Sequence, residues 1–306
     1  MRSSSFVVSG FVLSIIAACS AAAPPDAIVP EVVGRLEDAS IREASGLARS
    51  QRQSEILWII NDSGSKEIVH AIDAQGERLG EFDLKKSKNR DWEDLASFRQ
   101  DDVPYLMIAD IGDNEARRKY RTLYFVEEAA PLKNGVEKLA WRVDYRYPDA
   151  PRDAESAAID IENEQALILT KRDLPPRLYA VPLQTNSEEP VVATLLGTVR
   201  SMRKPARQEV EFAPKNKSWS WQPSGMDISD DNLAAVILTY EAVYYYERQD
   251  GQSWLDALNG KPARVSIGGF KNAEAVAFGD NERTVIVTGE TKRSPLLRID
   301  FNGITE

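Results

Sequence analysis

Five short apolar runs punctuate the chain, each rich in aliphatic and β-branched residues and each stopped by turn-forming or charged residues. Ile56–Ile60 ends at Asn61-Asp62-Ser63-Gly64, Tyr105–Ala109 at Asp110-Ile111-Gly112-Asp113-Asn114, and Ala166–Thr170 at Lys171-Arg172-Asp173. Ala234–Thr239 ends at Tyr240-Glu241, and Thr284–Thr288 at Gly289-Glu290. Runs this short do not make core helices, and their near-continuous apolarity suits strands buried on both faces. A further strand is predicted after each, over Ile68–Asp73, Thr122–Glu127, Arg177–Leu183, Ala242–Arg248 and Pro295–Asp300. Weaker fourth strands are predicted near Leu79–Leu84, Leu139–Tyr145, Val191–Val199 and Ala263–Ile267.

A recurring phrase precedes each apolar run. It appears as Glu43-Ala44-Ser45-Gly46-Leu47-Ala48, Asp91-Trp92-Glu93-Asp94-Leu95-Ala96 and Asp153-Ala154-Glu155-Ser156-Ala157-Ala158. It returns as Gln222-Pro223-Ser224-Gly225-Met226-Asp227 and Asn272-Ala273-Glu274-Ala275-Val276-Ala277. The third positions are 48, 62, 69 and 50 residues apart. Repetition near this period marks propeller blades. The pattern predicts an all-β chain forming a single propeller of four-stranded blades. Five blades are preferred, and the two longer intervals leave room for a sixth, mostly within 184–222. The last blade runs out of chain after its third strand. Pro30–Leu36 is predicted to supply the missing outer strand, which would remove two open sheet edges at once.

The first residues follow a different pattern. Arg2 precedes an apolar stretch, Phe6–Ile16, that is too short to span a bilayer. Ile16-Ala17-Ala18-Cys19 resembles the bacterial lipobox. The resemblance implies a signal peptide over 1–18, acylation of Cys19, a tether over 19–29 and a propeller domain over 30–306. Ser20, where inner-membrane retention would use Asp, implies a lipoprotein of the cell envelope at the outer membrane, facing the periplasm. An ordinary secretory peptide is the alternative.

Composition narrows the chemistry. Cys19 is the only cysteine, so the sequence holds no internal disulfide and no cysteine metal cage. The only histidine, His70, falls mid-strand, which speaks against a histidine-based nucleophilic triad. The net charge of −10 does not suit a nucleic-acid partner.

In a blade of antiparallel strands, the start of the first strand and the end of the second share a face. Glu43, Asp91, Glu93, Asp153, Glu155, Asn272 and Glu274 are therefore expected around one mouth of the axis. Glu93, Glu155 and Glu274 occupy one equivalent position, and like charges crowded there need neutralising. A divalent cation would do so, calcium rather than magnesium. Pairing with Lys171, Arg172 or Lys292 is the alternative. The expected ligand-binding residues on that face are Asp62, Asp91, Asp94, Asp110, Asp113, Asn114, Asp153, Lys171 and Glu290. The segment 201–222 should overhang it with Arg203, Lys204, Arg207, Lys215, Lys217, Trp219 and Trp221.

The set Asn-Asp-Ser-Gly, Asp-Trp-Glu-Asp-Leu-Ala and Asp-Ile-Gly-Asp-Asn resembles poorly characterised secreted bacterial propellers over residues 40–300. More distantly, the repeated phrase is similar to regucalcin/gluconolactonase-like and phytase-like propellers. That resemblance implies carboxylate metal ligands around the axial opening, here Glu93, Glu155 and Glu274. The Glu-Gly-Pro start of those families is absent, and Ser45 and Ser224 replace the acid in two blades. The expected function is a lipid-anchored binding module with a cation and ligand in an acidic axial funnel. The ligand would be small and polar, or an envelope protein. A metal-dependent hydrolase of a lactone, ester or phosphoester, with Glu93 or Asp94 as base, is one alternative. An envelope scaffold without a small-molecule site is another.

Overall fold

The computed structural model describes residues 28–129, 134–206, 219–270 and 272–302. The expected leader, Cys19, most of the expected tether, Arg207, Lys215 and Lys217 lie outside them. β1 (Glu31–Arg35) comes first in the chain but closes the fold last. Blade 1 holds β2 (Ala44–Arg49), β3 (Ile56–Asn61), β4 (Ile68–Asp73) and β5 (Arg78–Lys85). Blade 2 holds β6 (Trp92–Gln100), β7 (Val103–Asp110), β8 (Arg121–Glu127) and, after a short β9 (Gly135–Lys138), β10 (Trp141–Arg146). Blade 3 holds β11 (Ala154–Asp160), β12 (Gln165–Thr170), β13 (Arg177–Pro182) and, beyond β14 (Val191–Val192), β15 (Thr194–Thr198). Blade 4 holds β16 (Pro223–Ile228), β17 (Ala234–Thr239), β18 (Ala242–Glu247) and β19 (Ala263–Ser266). Blade 5 holds β20 (Ala273–Phe278), β21 (Thr284–Gly289) and β22 (Pro295–Asp300), with β1 as its outer strand. The molecule is a five-bladed propeller.

The expected closure is present. β1 pairs antiparallel with β22, and Gly34 lies so close to blade 1 that a Cβ there would meet the Gln75 carbonyl oxygen at 2.2 Å. Two strands depart from the simple blade pattern. β9 adds parallel to β5, and β14 adds parallel to β10, each reaching back to the preceding blade. These additions cover open backbone edges in blades 1 and 2. The predicted strand Val191–Val199 is therefore split. Val191–Val192 serves blade 2, Ala193 turns inward, and Thr194–Thr198 completes blade 3. The long intervals hold these additions rather than a sixth blade.

The core lies between blades. Trp58, Leu84, Trp92, Leu95 and Ile108 pack blade 1 against blade 2, and the other junctions repeat the arrangement, with Phe125, Tyr145 and Tyr179 between blades 2 and 3 and Tyr245, Phe278 and Phe301 between blades 4 and 5. Strands β3, β11, β17 and β21 are buried at every position, as their apolar runs require.

Each inner strand carries a register shift at the same place. The shifts fall between Ala44 and Gly46, Trp92 and Asp94, Ala154 and Ser156, Pro223 and Gly225, and Ala273 and Ala275. The third residue of the recurring phrase is thus a β-bulge in all five blades. A bulge leaves one residue without a ladder partner and re-aims its side chain. Below this ring, Asp94 is wholly buried. Its Oδ1 accepts from Leu95 N at 2.9 Å, and its Oδ2 from Ala157 N at 2.8 Å and Met226 N at 3.1 Å. One carboxyl group therefore ties blades 2, 3 and 4 together at the axis.

Replacing Asp94 by Ala leaves three buried N–H groups without partners, each worth about 1–3 kcal/mol. Urea unfolding of Asp94→Ala is expected to show a loss of at least about 3 kcal/mol, and of less in Asp94→Asn, which keeps one acceptor.

Candidate functional site

Strand register brings the phrase and the turn residues to one face, since Asn61, Asp110, Thr170, Thr239 and Gly289 pair with Ala44, Trp92, Ala154, Pro223 and Ala273. Two sets of five residues surround the funnel there. The bulges contribute Ser45, Glu93, Glu155, Ser224 and Glu274. The residues following the second strands contribute Asp62, Ile111, Lys171, Tyr240 and Glu290.

The bulge residues divide into two kinds. The serines bind neighbouring blades, with Ser45 Oγ donating to the Trp92 carbonyl at 2.8 Å and Ser224 Oγ to the Ala273 carbonyl at 2.7 Å. The glutamates turn toward the funnel, and two of them meet a cation and a phenol. Lys171, 2 % exposed, donates to Glu155 Oε1 and lies 3.0 Å from the Tyr240 hydroxyl. That hydroxyl is 3.1 Å from Glu155 Oε2 and 2.6 Å from Glu274 Oε1. Glu290 lies beside Glu274, and this neighbour adds to burial and Glu155 in favouring a proton on Glu274. Burial pushes Glu155 up to about 7 against the pull of Lys171, and raises Glu274 well above the usual carboxylate range. Burial also opposes the charge of Lys171, but Glu155, Glu93 and Glu274 outweigh it and raise its pKa.

Glu93 has a different environment. It is 5 % exposed, and no hydrogen bond or ion pair from the described residues reaches its carboxyl group. One oxygen of Glu93, one of Asp62 and one of Asp91 lie within 4.8 Å of one another. Burial comes first in raising all three, followed for Glu93 by Glu155, Asp62 and Asp91, and for Asp91 by Asp62 and Asp153. Asp91 is pushed up to about 7 and Asp62 to about 6. The turn holding Asp62 is fixed by the Asn89 amide, which donates to the Asn61 and Asp62 carbonyls at 3.1 and 2.9 Å. Ser63 gives its backbone N–H to Asp62. Gly112 forms the opposite wall. A Cβ there would sit 2.2 Å from Glu93 Oε1 and 2.5 Å from Asp91 Oδ2, so only glycine leaves room for both carboxyl groups.

The repeat explains why the group forms at one blade boundary. It combines the residue after the second strand of blade 1 with the first and third phrase positions of blade 2. The same positions give Ile111, Asp153 and Glu155 at the next boundary, then Lys171, Gln222 and Ser224. They give Tyr240, Asn272 and Glu274 after that, and finally Glu290, Glu43 and Ser45. Three carboxylates coincide once.

The remaining expected ligand residues are held by the protein. Asp110 pairs with Arg118 at 2.8 Å and receives Asp91 N at 3.1 Å. Asp113 pairs with the buried Arg121 and receives the Arg117 and Arg118 backbone N–H groups at 2.9 and 2.8 Å. Asp153 pairs with Arg172 at 2.6 Å and receives Asp113 N at 2.8 Å, while Asn114 accepts from Arg172. Asp94 lies beneath the funnel, bound by backbone. Of the overhanging segment, Arg203 pairs with Glu241 at 2.6 Å and Trp221 is buried against the body. His70 sits within β4, 3.2 Å from Glu81 and away from the funnel. Sequence reasoning singled out neither Tyr240 nor Gly112 as a site residue. The signal for Tyr240 was its place after the second strand, equivalent to Asp62, Lys171 and Glu290.

No protein-family model matches the chain, and no curated protein does. Among solved structures it is similar to the PQQ-bound form of aldose sugar dehydrogenase from Streptomyces coelicolor, with TM-score 0.48 and 9 % identity over 91 % of this chain and 99 % of that one. It is also similar to Raptor from Chaetomium thermophilum, with TM-score 0.47 and 11 % identity over 92 % of this chain but 30 % of that one. Neither likeness assigns an activity.

Lys171→Met removes one partner of a buried pair, a change that costs about 3–5 kcal/mol when the other charge is stranded. Chemical denaturation should show the larger loss above about pH 7 and a smaller one at pH values where Glu155 takes up a proton.

Proposed function

We propose that the chain is a lipid-anchored cell-envelope module whose funnel binds a divalent cation, calcium ahead of magnesium, and offers it to a polar ligand or a protein partner. The cation is assigned to Asp62, Asp91 and Glu93. The observation that carries this reading is Glu93, a buried carboxyl group that receives no hydrogen bond from the described residues and lies beside two further carboxyl groups, with Gly112 against it. The three oxygens lie within 4.8 Å of one another, close enough to share one cation, and calcium's looser geometry tolerates an all-protein carboxylate site that magnesium, with its regular octahedron and retained waters, takes less readily. Three carboxylates leave coordination positions open toward the mouth. Glu155 and Glu274, equivalent to Glu93 in the repeat, are already engaged by Lys171 and Tyr240.

Hydrolysis is the second reading, and one observation favours it. Glu274, buried on the same funnel 2.6 Å from the Tyr240 hydroxyl, is pushed by burial and by Glu155 toward its protonated form, as a general acid requires. Asp94 does not serve as its base, because both oxygens accept backbone N–H groups beneath the site.

Thermal unfolding of EDTA-stripped protein, titrated with Ca²⁺ and then Mg²⁺, tests the cation site. A ligand that binds only the folded state adds about 2.7 kcal/mol at a hundred times its Kd. Tm is expected to rise and saturate, more for Ca²⁺. Glu93→Gln and Gly112→Ala should abolish the rise, while Glu155→Gln should keep it. A rise lost equally in Glu155→Gln would point to the axial glutamate ring instead.

The site also sets a pH dependence. Asp62 and Asp91 hold their protons more tightly folded than unfolded, so folding takes up protons. Without cation, stability should therefore fall as pH rises from about 4, the ordinary carboxyl value, toward the folded value near 7. Calcium competes with those protons, so the Ca²⁺-induced Tm shift should grow across the same window. A shift independent of pH would contradict the assignment.

A further inference from the structure

The direction of β1 decides which face meets the membrane. Its residue Arg35 pairs with Pro295, at the funnel end of β22, and Glu31 pairs with Arg298, toward the other end. The chain thus enters β1 from the face opposite the funnel. Ile28 lies there, on the wall of a cleft of about 1380 Å³ between blades 4 and 5. Much of that wall comes from strand ends remote from the funnel, including Asp231, Leu233, Gln249 and Arg283, and the cleft runs up the outer strand of blade 4 as far as Ser266. Val29, Val32 and Leu233 expose 70 %, 54 % and 41 % of their surface along this side. Aliphatic side chains left open beside a chain entry point mark a contact surface.

Reach adds a limit. Eight residues lie between Cys19 and Ile28, and even fully extended the nine steps span no more than about 32 Å. A six-residue strand alone covers about 20 Å, before the loops at either end of the blade. A chain starting on the lower face would spend most of its length in climbing back to the funnel mouth.

We propose that the face carrying Ile28, Val29 and Leu233 lies against the lipid bilayer and that the funnel opens away from it. This rests on Cys19 being lipidated, as the envelope reading holds. The lower cleft mixes Arg248, Lys261, Arg264 and Arg283 with Asp231, Glu247 and Glu282. The contact therefore does not depend on anionic lipid, and the funnel is left free for ligands or partners in the aqueous space.

The test uses full-length, lipidated protein in phosphatidylcholine vesicles that contain a headgroup-linked quencher. A fluorophore is attached at Asp250→Cys, exposed on the lower face, or at Lys292→Cys, exposed on the funnel side. Lipidated Cys19 has no free thiol to react. The label at 250 is expected to lose most of its emission and the label at 292 to keep it. Equal quenching, or stronger quenching at 292, overturns the orientation while leaving the anchor standing. Failure of the lipidated protein to bind vesicles, or equal binding by protein that begins at Ser20 and so carries neither leader nor Cys19, overturns the anchor and the orientation together. Urea midpoints equal to that of the unsubstituted protein confirm that each labelled variant is folded.

Discussion

One extra residue in each inner strand governs this molecule. Without the bulge, the third position of the phrase would join the regular alternation of β2, β6, β11, β16 and β20, and its side chain would pack between blades. With it, Ser45, Glu93, Glu155, Ser224 and Glu274 are released from the ladder at one height. Beneath them Asp94 draws N–H groups from three blades onto one carboxyl group, giving the funnel a floor. The repeat thus builds two layers, a backbone-bound one that holds the blades together and a carboxyl-rich one above it.

A fivefold frame does not make a fivefold site. The serines spend their hydroxyl groups on neighbouring carbonyls, and Lys171 and Tyr240 absorb Glu155 and Glu274. Glu93 is left beside Asp62 and Asp91, where burial and mutual repulsion favour protons or a cation. The arginines nearby are committed to Asp110, Asp113 and Asp153. Those pairs fix the Asp-Ile-Gly-Asp-Asn loop, and the loop sets Gly112 against the Glu93 and Asp91 carboxyl groups.

The fold was largely legible because its signals are local. Apolar runs ended by turns located the second strands, and the phrase located the first. The missing outer strand of blade 5 pointed to β1. The borrowed strands β9 and β14 were not legible, since Gly135–Lys138 and Val191–Val192 pair with residues of another blade and carry no pattern of their own. The shared face of the site residues followed from strand direction alone. Their sorting into ion pairs, a hydrogen-bonded network and an unpaired group did not. It depends on which side chains meet across blade boundaries, as Tyr240 meets both Glu155 and Glu274.

The account turns on Asp62, Asp91 and Glu93 exchanging protons for a divalent cation. Calorimetric titration of Ca²⁺ into the stripped protein, in two buffers of different ionisation enthalpy near the folded value of Asp91, about 7, measures both events at once. The account predicts one saturable site per chain and a buffer-dependent heat that reports proton release, both lost in Glu93→Gln. No saturable heat, or binding without proton release that survives Glu93→Gln, would contradict it.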